Sequence, residues 1–247
     1  MNDVLRIESV NLTYGEGPTA RQALADVDLA ISSEGIHAVL GPSGSGKTTL
    51  LKVATGLQPP QSGEVYVAQQ PIYELDEAAR TRHRCLYISS ILERENLVHM
   101  YSVRDNITLP AQLSGSSIDR ARYREAIHFF DLAEFLDLYP AAISAEVTQR
   151  AALARAVVSA PRLIVADEIS GDLDSRSSAS VLSLLRSAVR EFNLTVLLCT
   201  HDPLAAAYAD EAWLLSDGAI AGTVDNPTYH SLISALAVMR DAQAQLL

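Results

Sequence analysis

The sequence predicts an α/β fold with a mostly parallel sheet covered on both faces by helices. Three observations predict it. Compact apolar strands such as IHAVL (36–40), RLIVA (162–166) and TVLLCT (195–200) alternate with helical segments. A glycine-rich turn, GPSGSGKTT (41–49), joins a strand to a helix. Apolar residues make up 48% of the 247 residues, enough for a sizeable and mostly aliphatic core, since aromatics contribute only 6%.

The elements follow in order. VLRIESVNLTY (4–14) and ALADVDLAIS (23–32) read as two strands around the loop YGEGPTAR. IHAVL is a compact strand, and TTLLKVATGL (48–57) is the helix after the glycine-rich turn. SGEVYVAQQ (62–70) is a further strand, DEAARTRHR (76–84) a short polar helix, and CLYIS (85–89) a buried strand. Residues 91–160 change character and read as a helical insertion. SIDRARYREAIHFFDLAEFLDLYP (117–140) is helical, with Ile118, Ala121, Ala126, Phe129, Phe130 and Leu132 on one apolar side. A second helix runs from about Thr148. The core then resumes with strand RLIVA, helix 174–192, strand TVLLCT, a short helix at 203–209, strands at 211–217 and 218–224, and a helical tail from Tyr229.

Composition excludes several classes. The net charge of −11 argues against a surface built to neutralise nucleic-acid phosphates. Arg80, Arg82, His83 and Arg84 cluster, and the plain reading is a solvated helix end. The two cysteines, Cys85 and Cys199, have no disulfide or metal spacing and each reads as a small core residue. The start, MNDVLRIESV, has no secretory pattern, and no run approaches the roughly 18 apolar residues that cross a bilayer. The expectation is a cytoplasmic chain that reaches a membrane only through a partner.

Three segments carry chemistry. GPSGSGKTT matches the phosphate-loop pattern G-x-x-x-x-G-K-[ST] between a strand and a helix, as that pattern demands. Glycines Gly41, Gly44 and Gly46 let the backbone N–H groups of the loop turn toward phosphate oxygens, and Pro42, Ser43, Ser45 and Thr49 are the other loop residues read as wrapping the nucleotide. The new helix presents its positive end to the same anion. Lys47 can reach the terminal phosphates and the Thr48 hydroxyl can ligate Mg²⁺. RLIVADE (162–168) ends an apolar strand in two carboxylates. Asp167 is placed to hold Mg²⁺ through water and Glu168 to polarise the attacking water. Alone this pattern is a common strand-to-loop transition; beside a phosphate loop it reads as phosphoryl-transfer machinery. His201 in TVLLCTHDP (195–203) follows a buried strand, so its side chain is aimed at the same strand-end site.

The order GPSGSGKTT, LIVADE, SGDLD (170–174), THD resembles the nucleotide-binding subunit of an ABC transporter, over nearly the whole chain. The stretch 41–67 with RDNITLP (104–110) is most similar to the MacB-, LolD- and FtsE-like branch. The resemblance implies a single nucleotide-binding domain over 1–247, with a phosphate-loop NTPase core, an antiparallel N-terminal β subdomain and a helical subdomain at about 91–160. It implies ATP and Mg²⁺ as ligands, an integral-membrane permease as partner, and a place on the cytoplasmic face of the membrane. Tyr14 matches the aromatic that stacks on adenine, Asp174 the loop that crosses the dimer interface, and His201 the histidine that contacts the γ-phosphate.

Two departures stand out. Where the family has Leu-Ser-Gly-Gly-Gln, which caps the ATP on a partner's phosphate loop in a head-to-tail dimer, this chain has Ile143-Ser144-Ala145-Glu146-Val147. Ser144 survives and both glycines are gone, so side chains and a like charge intrude where N–H groups must approach phosphate. At CLYISSILEREN (85–96) the family's glutamine is replaced by Ser89 and Ser90, with Glu93 the nearest longer polar side chain. The expectation is a heterodimer with asymmetric ATP sites. The alternative is a weakly hydrolytic homodimer that uses ATP as a clamp. A non-transport ATPase acting on DNA or ribosomes lacks its expected coiled-coil insertion or tandem domain here, and the charge is wrong for it. The apolar residues Leu97, Val98, Met100, Tyr101 and Val103 read equally as subdomain core and as a groove for the permease.

Overall fold

A computed structural model describes residues 3–32, 34–92, 96–169, 171 and 173–244. Two sheets organise them. The first is antiparallel, with β1 (Leu5–Tyr14), β2 (Arg21–Ile31), β4 (Ser62–Val67) and β5 (Gln70–Pro71) in the order β2-β1-β4-β5. Apolar residues Leu5, Ile7, Val10 and Leu12 point inward from β1. Their spacing breaks from two to three between Ile7 and Val10, where a register shift against both neighbours restores the inward face. The second sheet has the order β10-β9-β3-β8-β7-β6. Its strands are β3 (Gly35–Leu40), β6 (Ile88–Ile91), β7 (Leu163–Asp167), β8 (Thr195–Thr200), β9 (Glu211–Ser216) and β10 (Ala219–Asp225). All neighbours pair in parallel except β9 with β10.

The pleat of the parallel sheet divides the core in two. Ile36, Ala38, Leu40, Ile164, Ala166, Val196 and Leu198 face one way, into a cluster with Leu153, Val157, Leu182 and Leu185. Val39, Leu163, Val165, Leu197 and Cys199 face the other way, into a cluster with Leu50, Val53 and the antiparallel sheet. Successive strand residues point to opposite faces, so every residue of β3 and β8 is buried and no polar alternation survives in their sequences. The sequence expectation of an antiparallel sheet beside a mostly parallel, doubly covered one holds.

The helices are α1 (Lys47–Ala54), α2 (Glu77–Tyr87), α3 (Val103–Ser114), α4 (Arg120–Phe129), α5 (Ala145–Val158), α6 (Ser175–Phe192), α7 (Pro203–Ala206) and α8 (Tyr229–Ala244). No described helix is long and apolar enough to cross a membrane. Helix α5 is buried on most sides, through Val147, Ala151, Leu153, Ala154 and Val157 among others. Its one buried long polar residue, Gln149, accepts a hydrogen bond from Asn96 Nδ2 at 3.1 Å. Asn106, fully buried on α3, accepts from the Val98 N–H and donates to three backbone carbonyls, tying the segment before α3 to the helix.

Several sequence expectations are corrected. The polar helix at 76–84 continues through Tyr87, so Cys85 and Leu86 lie on a helix and not in a strand. Cys85 is exposed and is no core residue, whereas Cys199 is buried as expected. The His83 and Tyr87 rings, one turn apart, meet with centroids 4.5 Å apart and prolong the helix. The long helix expected over 117–140 stops at Phe129, and two 3₁₀ turns at Ala133–Phe135 and Pro140–Ala142 follow. Ala121, assigned to its apolar side, is exposed. Helix α3 went unread because Pro110 sits inside it. Of the apolar residues near it, Leu97 and Val103 are core, while Met100 is 77% exposed, with Val98 and Tyr101 also at the surface.

Phe130 is the largest fully buried side chain and packs edge-on against Phe129 at 5.0 Å. Phe130→Ala is expected to destabilise the chain by about 3–5 kcal/mol, read as a lowered urea midpoint with an unchanged slope.

Candidate functional site

Strand register builds the site. Leu40 pairs with Thr200 and Asp167 with Cys199, so the carboxyl ends of β3, β7 and β8 stand side by side. The residues that follow, Gly41, Glu168 and His201, therefore leave the sheet at one edge, where ligands bind in open α/β sheets.

The phosphate loop leaves β3 through a close approach. A Cβ on Gly41 would lie 2.2 Å from the Leu215 carbonyl oxygen, so no other residue fits. Gly46 has φ 112° and a Cβ there would meet the Ala23 carbonyl at 2.4 Å, so it needs glycine twice over. Pro42, Ser43 and Gly44 are exposed, while Ser45 and Lys47 are buried. The first-turn N–H groups of α1 have no carbonyl one turn back within the helix and face the loop's concave side. Lys47 Nζ donates to the Gly41 carbonyl at 2.8 Å and the Pro42 carbonyl at 3.1 Å. It also stands 3.9 Å from Glu168 Oε1, so this buried cation is both hydrogen-bonded and partly neutralised.

The Thr48 hydroxyl donates to Asp167 Oδ2 at 3.3 Å, bringing together the two oxygen ligands read from sequence. Glu168 takes a left-handed backbone, φ 49°, at a cost of about 1–3 kcal/mol. Its N–H bonds the Cys199 carbonyl and its carbonyl accepts from Gly171, which fixes the turn. The turn aims the carboxylate across to β8, where Thr200 Oγ1 donates to Oε2 at 3.0 Å and His201 Nδ1 lies 2.8 Å from Oε1. Burial pushes the neighbouring Cys199 thiol up, reinforced by the negative charge of Asp167, so it stays neutral beneath the site.

Tyr14 ends β1 beside a cavity of about 230 Å³, which is also lined by Gly44, Gly46, Lys47, Thr48 and Thr49. Arg21 lines it as well and donates to the Gly44 carbonyl at 3.0 Å. Arg21 and Thr200 were not singled out from sequence. Arg21 ends a polar loop, and only the closure of the first sheet over the phosphate loop reveals it. Thr200 opens the THD stretch but ends a strand that reads as core.

Ser144 and Asp174 do not join this group. Ser144 caps α5, accepting from the Val147 N–H at 3.3 Å, so the helix begins at Ala145 and not near Thr148. Asp174 caps α6, accepting from the Arg176 and Ser177 N–H groups, and the Ser177 N–H bond holds its carboxyl below the usual range. Ser170 and Asp172 of the SGDLD stretch, and Glu93, lie outside the described residues. Ser89 is buried and Ser90 uses its carbonyl to accept from Arg155 Nη2 at 3.3 Å.

Fold and site define a phosphate-loop nucleotide-binding protein. The ABC transporter family profile matches residues 24–171, and the chain belongs to that family of ATP-binding subunits. It is 36% identical to the methionine import ATP-binding protein MetN of Chromohalobacter salexigens, over 90% of this chain and 65% of that one. It thus spans just under two thirds of that relative. It is 32% identical to the lipoprotein-releasing system ATP-binding protein LolD 1 of Caulobacter vibrioides, over 92% and 98% of the two chains. The dimeric ATP-binding cassette MJ0796, in a post-hydrolysis state bound to ADP and Pi, superimposes with a TM-score of 0.79 at 29% identity, over 91% and 99% of the chains.

Gly46→Ala is expected to cost about 1–3 kcal/mol of stability. It should also shrink the rise in thermal midpoint on adding ATP, measured by scanning fluorimetry with and without nucleotide.

Proposed function

We propose that this chain is one nucleotide-binding domain over 1–247, with a helical subdomain at about 91–160, that hydrolyses ATP to drive a separate membrane permease of the exporter or lipoprotein-extrusion type. It would sit on the cytoplasmic face of the membrane through that permease. The observation that carries the reading is the convergence of Lys47, the Thr48–Asp167 pair and the Glu168–His201 pair on one sheet edge. In this reading Tyr14 stacks on adenine, and the loop from Gly41 to Thr49 wraps the phosphates. Lys47 exchanges its carbonyl partners for the terminal phosphates. Glu168 orients the attacking water and His201 contacts the γ-phosphate.

The donor set fits Mg²⁺. Thr48 and Asp167 offer hard oxygen ligands, and no group of three or more acidic, His or Cys side chains among the described residues forms a cage of its own. That suits an ion that keeps water and phosphate oxygens in its shell. Thr48 and Asp167 would hold it, and it would neutralise phosphate charge.

The chain pairs with a second, different nucleotide-binding subunit. Its own floor, capped by the partner's complete signature turn, hydrolyses ATP. Its own ISAEV turn, led by Ser144, makes a poor lid over the partner's nucleotide, and Asp174 lies near that interface. What supports the asymmetry is the contrast between the assembled floor and the first turn of α5. There Ala145 and Glu146 take positions whose N–H groups would meet phosphate. A carboxylate about 5 Å from a phosphate oxygen costs about 3 kcal/mol at an effective dielectric of about 20.

Purified alone, the chain should bind ATP and hydrolyse it slowly, with turnover rising when the partner subunit is added. Glu168→Gln should lower turnover by about 100-fold or more while leaving binding intact. Brisk ATPase from the lone chain, lost in the Glu168 variant, would overturn the asymmetric pairing. Tyr14→Ala should weaken ATP binding by about three- to ten-fold, read by nucleotide titration.

A further inference from the structure

Glu146 and Arg150 are one turn apart on α5 and line the same cavity of about 450 Å³, with Asp131, Phe129 and Ser183. Among the described residues nothing bonds the Glu146 carboxylate. Arg150 is incompletely satisfied. Its side chain is only 17% exposed, and it reaches Asp131 at 3.5 Å, an aspartate that is itself 89% exposed. Its Nε is buried with no hydrogen-bond partner. The guanidinium lies 5.7 Å from the Phe135 ring centre, which fixes its position on the helix flank.

From this arrangement we infer that Arg150 is the retreat of the Glu146 carboxylate: when a neighbouring subunit's phosphates come under the α5 lid, Glu146 swings back along the helix onto Arg150. The inference rests on the proposed reading that this turn covers a partner's nucleotide. The geometry favours it on three counts. A glutamate four residues before a basic residue is the favoured orientation of a helix ion pair. The guanidinium is partly desolvated, so an added carboxylate gains more there than at an open surface. The positive end of α5 favours a negative charge in its first turn, where Glu146 stands, and an arriving phosphate takes over that role. Asp131 is exposed enough to yield its share of the guanidinium to solvent. The lid is then conditional: closed to anions with Glu146 forward, open with Glu146 on Arg150. Arg150 acts as a positioning residue.

The test is ATP-dependent self-association of the full chain carrying Glu168→Gln, followed by sedimentation velocity at high chain concentration with Mg²⁺ and ATP. Glu146→Gly should tighten association. Arg150→Gln should weaken it by about five-fold when Glu146 is present, and by less than about two-fold beside Glu146→Gly. Arg150→Lys, which keeps the charge, should retain most of the association. Equal weakening by Arg150→Gln in both backgrounds would overturn the proposal, because a purely structural role is indifferent to Glu146. So would association that appears only with Glu146→Gly. Absence of association even with Glu146→Gly would mean that this turn does not cover a second copy's nucleotide and would overturn the inference, while pairing with a different subunit would stand.

Discussion

Parallel pairing of β3 and β7 with β8 is the constraint on which the site depends. It sets Leu40 level with Thr200 and Asp167 level with Cys199 at one sheet edge, and the residues after Leu40, Asp167 and Thr200 leave the sheet there. A slip of one residue in any pair would send that strand's core side chains to the opposite face. Both faces are buried, so such a slip would disrupt two cores at once. The geometry of Lys47, Asp167, Glu168 and His201 is thus held by the aliphatic packing of the strands that lead to it.

The remaining strain is local and is spent on aim. Glu168 takes a backbone conformation unusual for a side-chain-bearing residue, and the result is a carboxylate anchored by Thr200 and His201 and within reach of Lys47. The phosphate loop is fixed from outside as well as within. Leu215 of β9 and Ala23 of β2 press their carbonyls against Gly41 and Gly46, so both sheets help shape the anion cradle. Helix α5 belongs to another region, packed among α3, α4 and α6, and its N-terminus carries an acid where the family carries glycine. In the proposed reading the floor and the lid of a nucleotide site are separately built in this chain, and that is the physical basis on which its two faces are proposed to perform unequally.

The chain is similar both to MetN, an import protein by name, and to LolD, a lipoprotein-releasing one. The nucleotide machinery is common ground between them.

What the sequence by itself determined is the chemistry whose requirements are local. GPSGSGKTT was legible because a backbone that folds around phosphate needs glycine at set positions, and RLIVADE and TVLLCTHDP because buried parallel strands read as unbroken apolar runs. Alternation of such strands with helices was enough for the fold class. The tertiary structure alone decided the rest. CLYIS reads ambiguously because a short apolar run suits either a strand or a helix end, and the folded chain carries α2 through Tyr87 before the strand begins at Ile88. Helix α3 was hidden by Pro110, which its packing against α5 overrides. Arg21 enters the site from a chain position that carries no motif, and Phe129, Asp131 and Ser183 reach the cavity beside Glu146 and Arg150 only because α4 and α6 pack against α5. Such proximities depend on long-range packing, which no local pattern encodes.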